Sequence, residues 1–135
     1  MQQIARRQLL GVGAGLAAAP AFAATGPLLG VWQRRCGSGC LAWARLFAEA
    51  GFVVAVHEVD DLAAAHLAGR VPADLAACHT ARVAGYTLAG HVPVEAVRHL
   101  LELRPAVIGL GVAGPRADRP QVVAFAGDGV RSVFA

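Results

Sequence analysis

From Leu28 to Val56 two short apolar runs flank a helical repeat, and this pattern constrains the fold more than any other. Leu28 to Gln33 reads as a buried strand. A glycine-containing loop follows, Arg34-Arg35-Cys36-Gly37-Ser38-Gly39-Cys40. From Leu41 to Ala50 the spacing predicts a helix, with Trp43, Leu46, Phe47 and Ala50 at i, i+3, i+4 and i+7. Gly51 stands where a left-handed C-cap belongs. Phe52 to Val56, continuously apolar and rich in valine, reads as a strand buried on both faces. Two such strands joined through one helix lie parallel, with a right-handed crossover.

The rest of the chain adds to this unit. Asp60 or Asp61 can N-cap a short helix running through Leu67 and ending at Gly69. Val71-Pro72 turns the chain towards Cys78-His79. Thr80 to Val83 and Tyr86 to Val92 read as a hairpin turning at Ala84-Gly85. Pro93 suits the first position of a helix whose buried stripe is Val94, Val97, Leu100 and Leu101. Pro105 ends it. An apolar stretch from Val107 to Val112, a proline-bounded loop from Gly114 to Pro120 and a final hairpin, Gln121–Ala126 with Val130–Phe134, complete the chain. The expected architecture is α/β: a thioredoxin- or glutaredoxin-like β-α-β-α-β-β-α domain with an added C-terminal β-hairpin.

The first 24 residues lie outside that domain. Arg6-Arg7, the uncharged run from Leu9 to Ala18 and Ala21-Phe22-Ala23 together form a cleavable export signal. The paired arginines followed by Gln8-Leu9-Leu10 fit the twin-arginine type, although an ordinary secretory signal can carry the same pair. The apolar run is about half of what a membrane-spanning helix needs, so no stable anchor remains after cleavage. The expected division is a signal peptide over residues 1–24 and a single domain over 25–135, working in the periplasm. Cleavage also removes the charge excess. All 12 basic residues are arginines, and without Arg6 and Arg7 ten face nine acids. They are scattered, with no aromatic ladder, which argues against a nucleic-acid partner.

The chemistry lies in the cysteines and histidines. Cys36 and Cys40 flank a Gly-Ser-Gly loop that can turn both sulfurs to one ion, and the helix N-terminus beyond favours thiolates. A structural disulfide is the competing explanation. Cys78 is the odd thiol, exposed to oxidation in an exported protein unless a ligand holds it; otherwise it is a small buried hydrophobe. The topology brings Cys78-His79 to the same end of the sheet as the Cys36–Cys40 loop. His91 is expected to cap or pack, and His57, His66 and His99 to be ordinary surface residues. Met1 is the only methionine, so thioether ligation is absent from the mature chain.

Four stretches also resemble a known bacterial family: Cys36 to Trp43; Val59-Asp60-Asp61-Leu62-Ala63-Ala64; Val71 to Thr80, which contains Cys78-His79-Thr80; and Gly85-Tyr86 through Gly90-His91-Val92-Pro93. This is the family catalogued as domain of unknown function 411. The resemblance runs from about Leu28 to Phe134 and implies an exported metal-binding protein linked to resistance to copper and other heavy metals. Two departures stand out. Members usually carry a compact Cys-Gly-Cys-Cys where this chain has Cys36-Gly37-Ser38-Gly39-Cys40, and their methionine-bearing loop here reads Gly114 to Pro120 without methionine.

The expected metal ligands are therefore Cys36, Cys40 and Cys78, with His79 as a fourth. Cu(I) is the expected ion and zinc the alternative for a closed Cys3His set. A metal-transport or chaperone protein is the expected partner, and no catalytic residue is assigned. Two other readings stay open: a thiol–disulfide oxidoreductase, and a scaffold that has lost its metal site. Against the oxidoreductase, its active cysteines usually have two residues between them rather than three, and a proline is expected where Thr80-Ala81 stands.

Overall fold

The computed structural model describes residues 25–35, 38–113 and 121–134. Residues 1–24, expected to be a signal peptide, together with Cys36 and residues 114–120, expected to be a loop, lie outside the described residues. The elements are β1 (Leu28–Gln33), α1 (Ser38–Glu49), β2 (Val53–Glu58), α2 (Ala63–Ala68), a 3-10 turn (Ala73–Leu75), β3 (His79–Val83), β4 (Tyr86–Ala89), α3 (Val94–Leu103), β5 (Gly109–Ala113), β6 (Gln121–Phe125) and β7 (Arg131–Val133). They form a mixed α/β structure on one seven-stranded sheet, ordered β2-β1-β3-β4-β5-β6-β7. β1 runs parallel to β2 and β4 parallel to β5; every other neighbouring pair is antiparallel. The final hairpin is present as β6–β7, and β5 joins it to the same sheet.

Alternation along the strands sorts the two faces. Leu29, Val31, Ala81, Val83, Leu88 and Leu110 point to one side, where Trp43, Ala44 and Phe47 of α1 and Ala96, Val97 and Leu100 of α3 cover them. On the other side Leu75, Ala89, Val123 and Phe125 form a smaller cluster. The β4–β5 approach needs a glycine at 109, where a Cβ would sit 1.9 Å from the Thr87 carbonyl oxygen.

Several local expectations hold. Gly51 (φ 98°) ends α1 in a Schellman arrangement: Gly51 N–H donates to Ala48 O, Phe52 N–H to Phe47 O, and the two rings meet edge-on at 5.1 Å. Ala84 (φ 49°) and Gly85 (φ 86°) make the tight β3–β4 turn. The Asp61 carboxylate accepts from Ala63 N–H in the turn before α2, but it does not cap the helix as expected: Leu62 is the N-cap and has no side-chain cap bond.

Two further expectations need correction. α1 begins at Ser38 rather than Leu41, so its buried stripe is Cys40, Trp43, Ala44 and Phe47, while Leu46 is 55% exposed. Leu46 and Ala44 both fit an apolar repeat, and packing against the sheet selects the face that carries Cys40 and Ala44. β2 is not buried on both faces. It is the edge strand, and only Val54 and Ala55 are partly covered; Phe52, just before it, is the buried residue.

Candidate metal centre

The β1–β3 and β3–β4 pairings fix where the candidate ligands meet. Gln33, the last residue of β1, stands opposite His79, the first of β3, and Thr80 stands opposite Ala89 near the end of β4. The end of β1, the start of β3 and the end of β4 therefore share one end of the sheet. The first turn of α1 brings Cys40 to it. Trp43, one turn on, donates its indole N–H to Val92 O at 2.9 Å and lies against the rings of His79 (4.4 Å) and His91 (6.2 Å). The two imidazoles stack 5.0 Å apart.

Donor atoms of Cys40, Cys78, His79 and His91 all lie within 4.8 Å of one another. The Cys40 and Cys78 sulfurs are 3.2 Å apart, a contact rather than a disulfide, in which the sulfurs are about 2.05 Å apart. Cys40 and His79 are buried; Cys78 and His91 face solvent. Cys78 opens onto a pocket of about 340 Å³ whose walls include Arg34, Asp60, Asp61 and His66.

The surroundings of His79 fix its tautomer and leave one nitrogen unpartnered. Its Nε2 lies 2.9 Å from the Gly90 carbonyl oxygen, which can only accept, so Nε2 carries the hydrogen. Nδ1 then holds the lone pair, and it is buried with no hydrogen-bond partner. Burial, reinforced by the neighbouring His91, lowers the His79 pKa to about 4, against the pull of the Gly90 carbonyl. The ring is thus neutral at neutral pH, as metal ligation requires. Such a carbonyl contact on the far nitrogen commonly fixes the tautomer of a metal-binding histidine. Gly90 (φ 86°) makes the bend that aims its carbonyl at the ring.

Of the expected ligands, Cys40, Cys78 and His79 come together, and Cys36 lies outside the described residues. His91, expected only to cap or pack, joins the cluster. The hairpin register carried that information, because a strand pair that sets Thr80 opposite Ala89 also sets His79 beside Gly90-His91. The remaining histidines stay outside it. His57 stacks on Trp32, His66 Nδ1 lies 3.0 Å from Thr80 Oγ1, and exposed His99 is near Glu102 and Phe134. No described helix is long and apolar enough to cross a membrane.

Comparison with known proteins agrees with the family resemblance. Residues 75–120 match the family model "Protein of unknown function, DUF411". Two solved structures, forms 1 and 2 of "Copper resistance protein copG", are similar to the chain. Form 1 is 29% identical, with 82% of this chain and 97% of that one covered at a TM-score of 0.72. Form 2 is 28% identical, with 81% and 96% covered and the same TM-score. No curated protein matches. The stretch that supplies Cys78, His79 and His91 is thus the one matched by the model of domain of unknown function 411, in a chain similar over most of its length to a copper resistance protein.

Proposed function

We propose that this chain is a non-enzymatic metal-binding protein of copper handling, taking up Cu(I) as cargo through Cys40, Cys78 and His79. His91 is added to the set, and Cys36 remains a further thiolate candidate. The observation that carries the reading is the convergence of four soft or borderline donors with the His79 Nδ1 lone pair buried and unpartnered. Leaving such an atom unsatisfied costs about 1–3 kcal/mol, a cost that a ligand at that position recovers. Similarity to a copper resistance protein supports copper as the ion. Thiolates favour Cu(I), whereas a closed Cys2His2 tetrahedron also suits zinc.

The finer fold belongs to the same proposal. The order β2-β1-β3-β4, with β1 parallel to β2 and a β3–β4 hairpin, supports a thioredoxin-like core. Export by the twin-arginine route to the periplasm, with cleavage near residue 24, rests on Arg6-Arg7 and Ala21-Phe22-Ala23. There the protein would pass its ion to a transport or chaperone partner, and the open side at Cys78 is where such a partner would reach it. A second reading, thiol–disulfide exchange, has one observation in its favour, the 3.2 Å approach of the Cys40 and Cys78 sulfurs.

One preparation tests these readings together. The protein is purified anaerobically from an export-competent host, and its N-terminus, bound metal and accessible thiols are measured. The account expects a chain beginning near Ala24 or Thr25 that binds one equivalent of Cu(I), with Cys40 and Cys78 protected. Intact Met1 on soluble cytoplasmic protein contradicts export. A metal-free protein that reversibly forms a disulfide, and takes up no Cu(I) when reduced, contradicts metal binding.

A further inference from the structure

Among the described residues three buried side-chain atoms have no hydrogen-bond partner: Gln33 Oε1, His79 Nδ1 and Arg82 Nε. Arg82 follows Ala81 in β3, so its side chain lies on the opposite face from His79. The other two are neighbours. Gln33 and His79 are register partners across β1 and β3, so their side chains share the face covered by α1. Gln33 is 2% exposed and His79 0%. The two inward positions before Gln33 on β1 are Leu29 and Val31, both in the apolar core. A leucine at 33 would continue that stripe without burying an unpaired amide. Both orphaned atoms carry lone pairs, and both stand at the end of the sheet where Cys40 and Cys78 meet.

We infer that Gln33 biases which ion the centre prefers: its carboxamide oxygen is a hard donor that strengthens the hold of the thiolate–imidazole site on a borderline divalent ion, Zn(II) or Co(II), relative to Cu(I). This rests on the metal-binding reading above and deepens it by assigning a second class of ion. Sulfur suits Cu(I), imidazole suits both ions, and an amide oxygen gives little to Cu(I). A divalent ion bound there offsets the cost of the buried, unpaired amide oxygen.

The test compares wild type, Gln33→Leu and Gln33→Met in chelator competition for Zn(II) and for Cu(I), with Co(II) absorption spectra and the Tm of the metal-free protein. Gln33→Leu should weaken Zn(II) binding about tenfold while Cu(I) affinity changes less than about threefold. The same substitution should raise the metal-free Tm by about 5 °C, because the unsatisfied amide is gone. Gln33→Met, of similar length and unbranched, should lose Zn(II) equally while keeping Cu(I), and it carries the test if the leucine variant does not fold. Weaker, altered Co(II) bands in both variants should accompany the Zn(II) loss. Equal losses for both ions, or none for either, overturn the inference while leaving the metal-binding reading intact. A wild-type protein that takes up neither ion overturns both.

Discussion

His79 couples the centre to pH even when no metal is bound. An unfolded histidine titrates near 6.5, whereas the folded ring, desolvated and beside His91, titrates near 4. Between those values the unfolded chain holds the extra proton, so stability increases with pH there and is fully present above about 6.5. Acidifying the metal-free protein from pH 7 to 4.5 should therefore remove up to about 3 kcal/mol, read as a falling urea midpoint. His79→Gln should flatten that slope, with His91 as the remaining imidazole in the cluster. A midpoint that is flat across this interval for the wild type would mean that the His79 ring is not buried. Metal binding should weaken over the same range, because protons compete with the ion for imidazole nitrogens and sulfurs.

At the scale of elements, α1 holds the centre by its register. Trp43 packs against both imidazoles and anchors to Val92 O, so Trp43→Ala should cost about 3–5 kcal/mol of stability. Leu46→Ala, on the exposed side, should cost under about 1 kcal/mol. Chemical denaturation of the two variants checks the assignment, and similar losses would mean that the helix is rotated. These elements were unequally legible in the sequence. Gly51 and Ala84-Gly85 announced their cap and turn because backbone geometry demands particular residues there. The face of α1 was ambiguous, since Leu46 and Ala44 each complete an apolar repeat and only packing chooses between them. β2 was misread because an edge strand built from Val53, Val54, Ala55 and Val56 has the composition of a central one.

For the whole molecule, the central claim is that chain topology gathers a soft-metal site from residues far apart in sequence. Cys40 and Cys78, 38 positions apart, meet because β1 and β3 pair antiparallel, with Gln33 opposite His79, which leaves the end of β1 and the start of β3 at one end of the sheet. That meeting was legible from the order of elements. His91 was read as capping or packing and Gln33 was not singled out, since an exposed histidine after a strand and a polar residue closing an apolar run look ordinary until strand register is known. The direct measurement is a competition titration with a Cu(I) chelator on wild type, Cys40→Ser, Cys78→Ser, His79→Ala and His91→Ala. The account predicts one Cu(I) per chain, comparable large losses for the two cysteine variants and smaller losses for the histidine variants. If Cys78→Ser binds as tightly as wild type while Cys40→Ser does not, the two sulfurs do not share an ion and the site is not the one described.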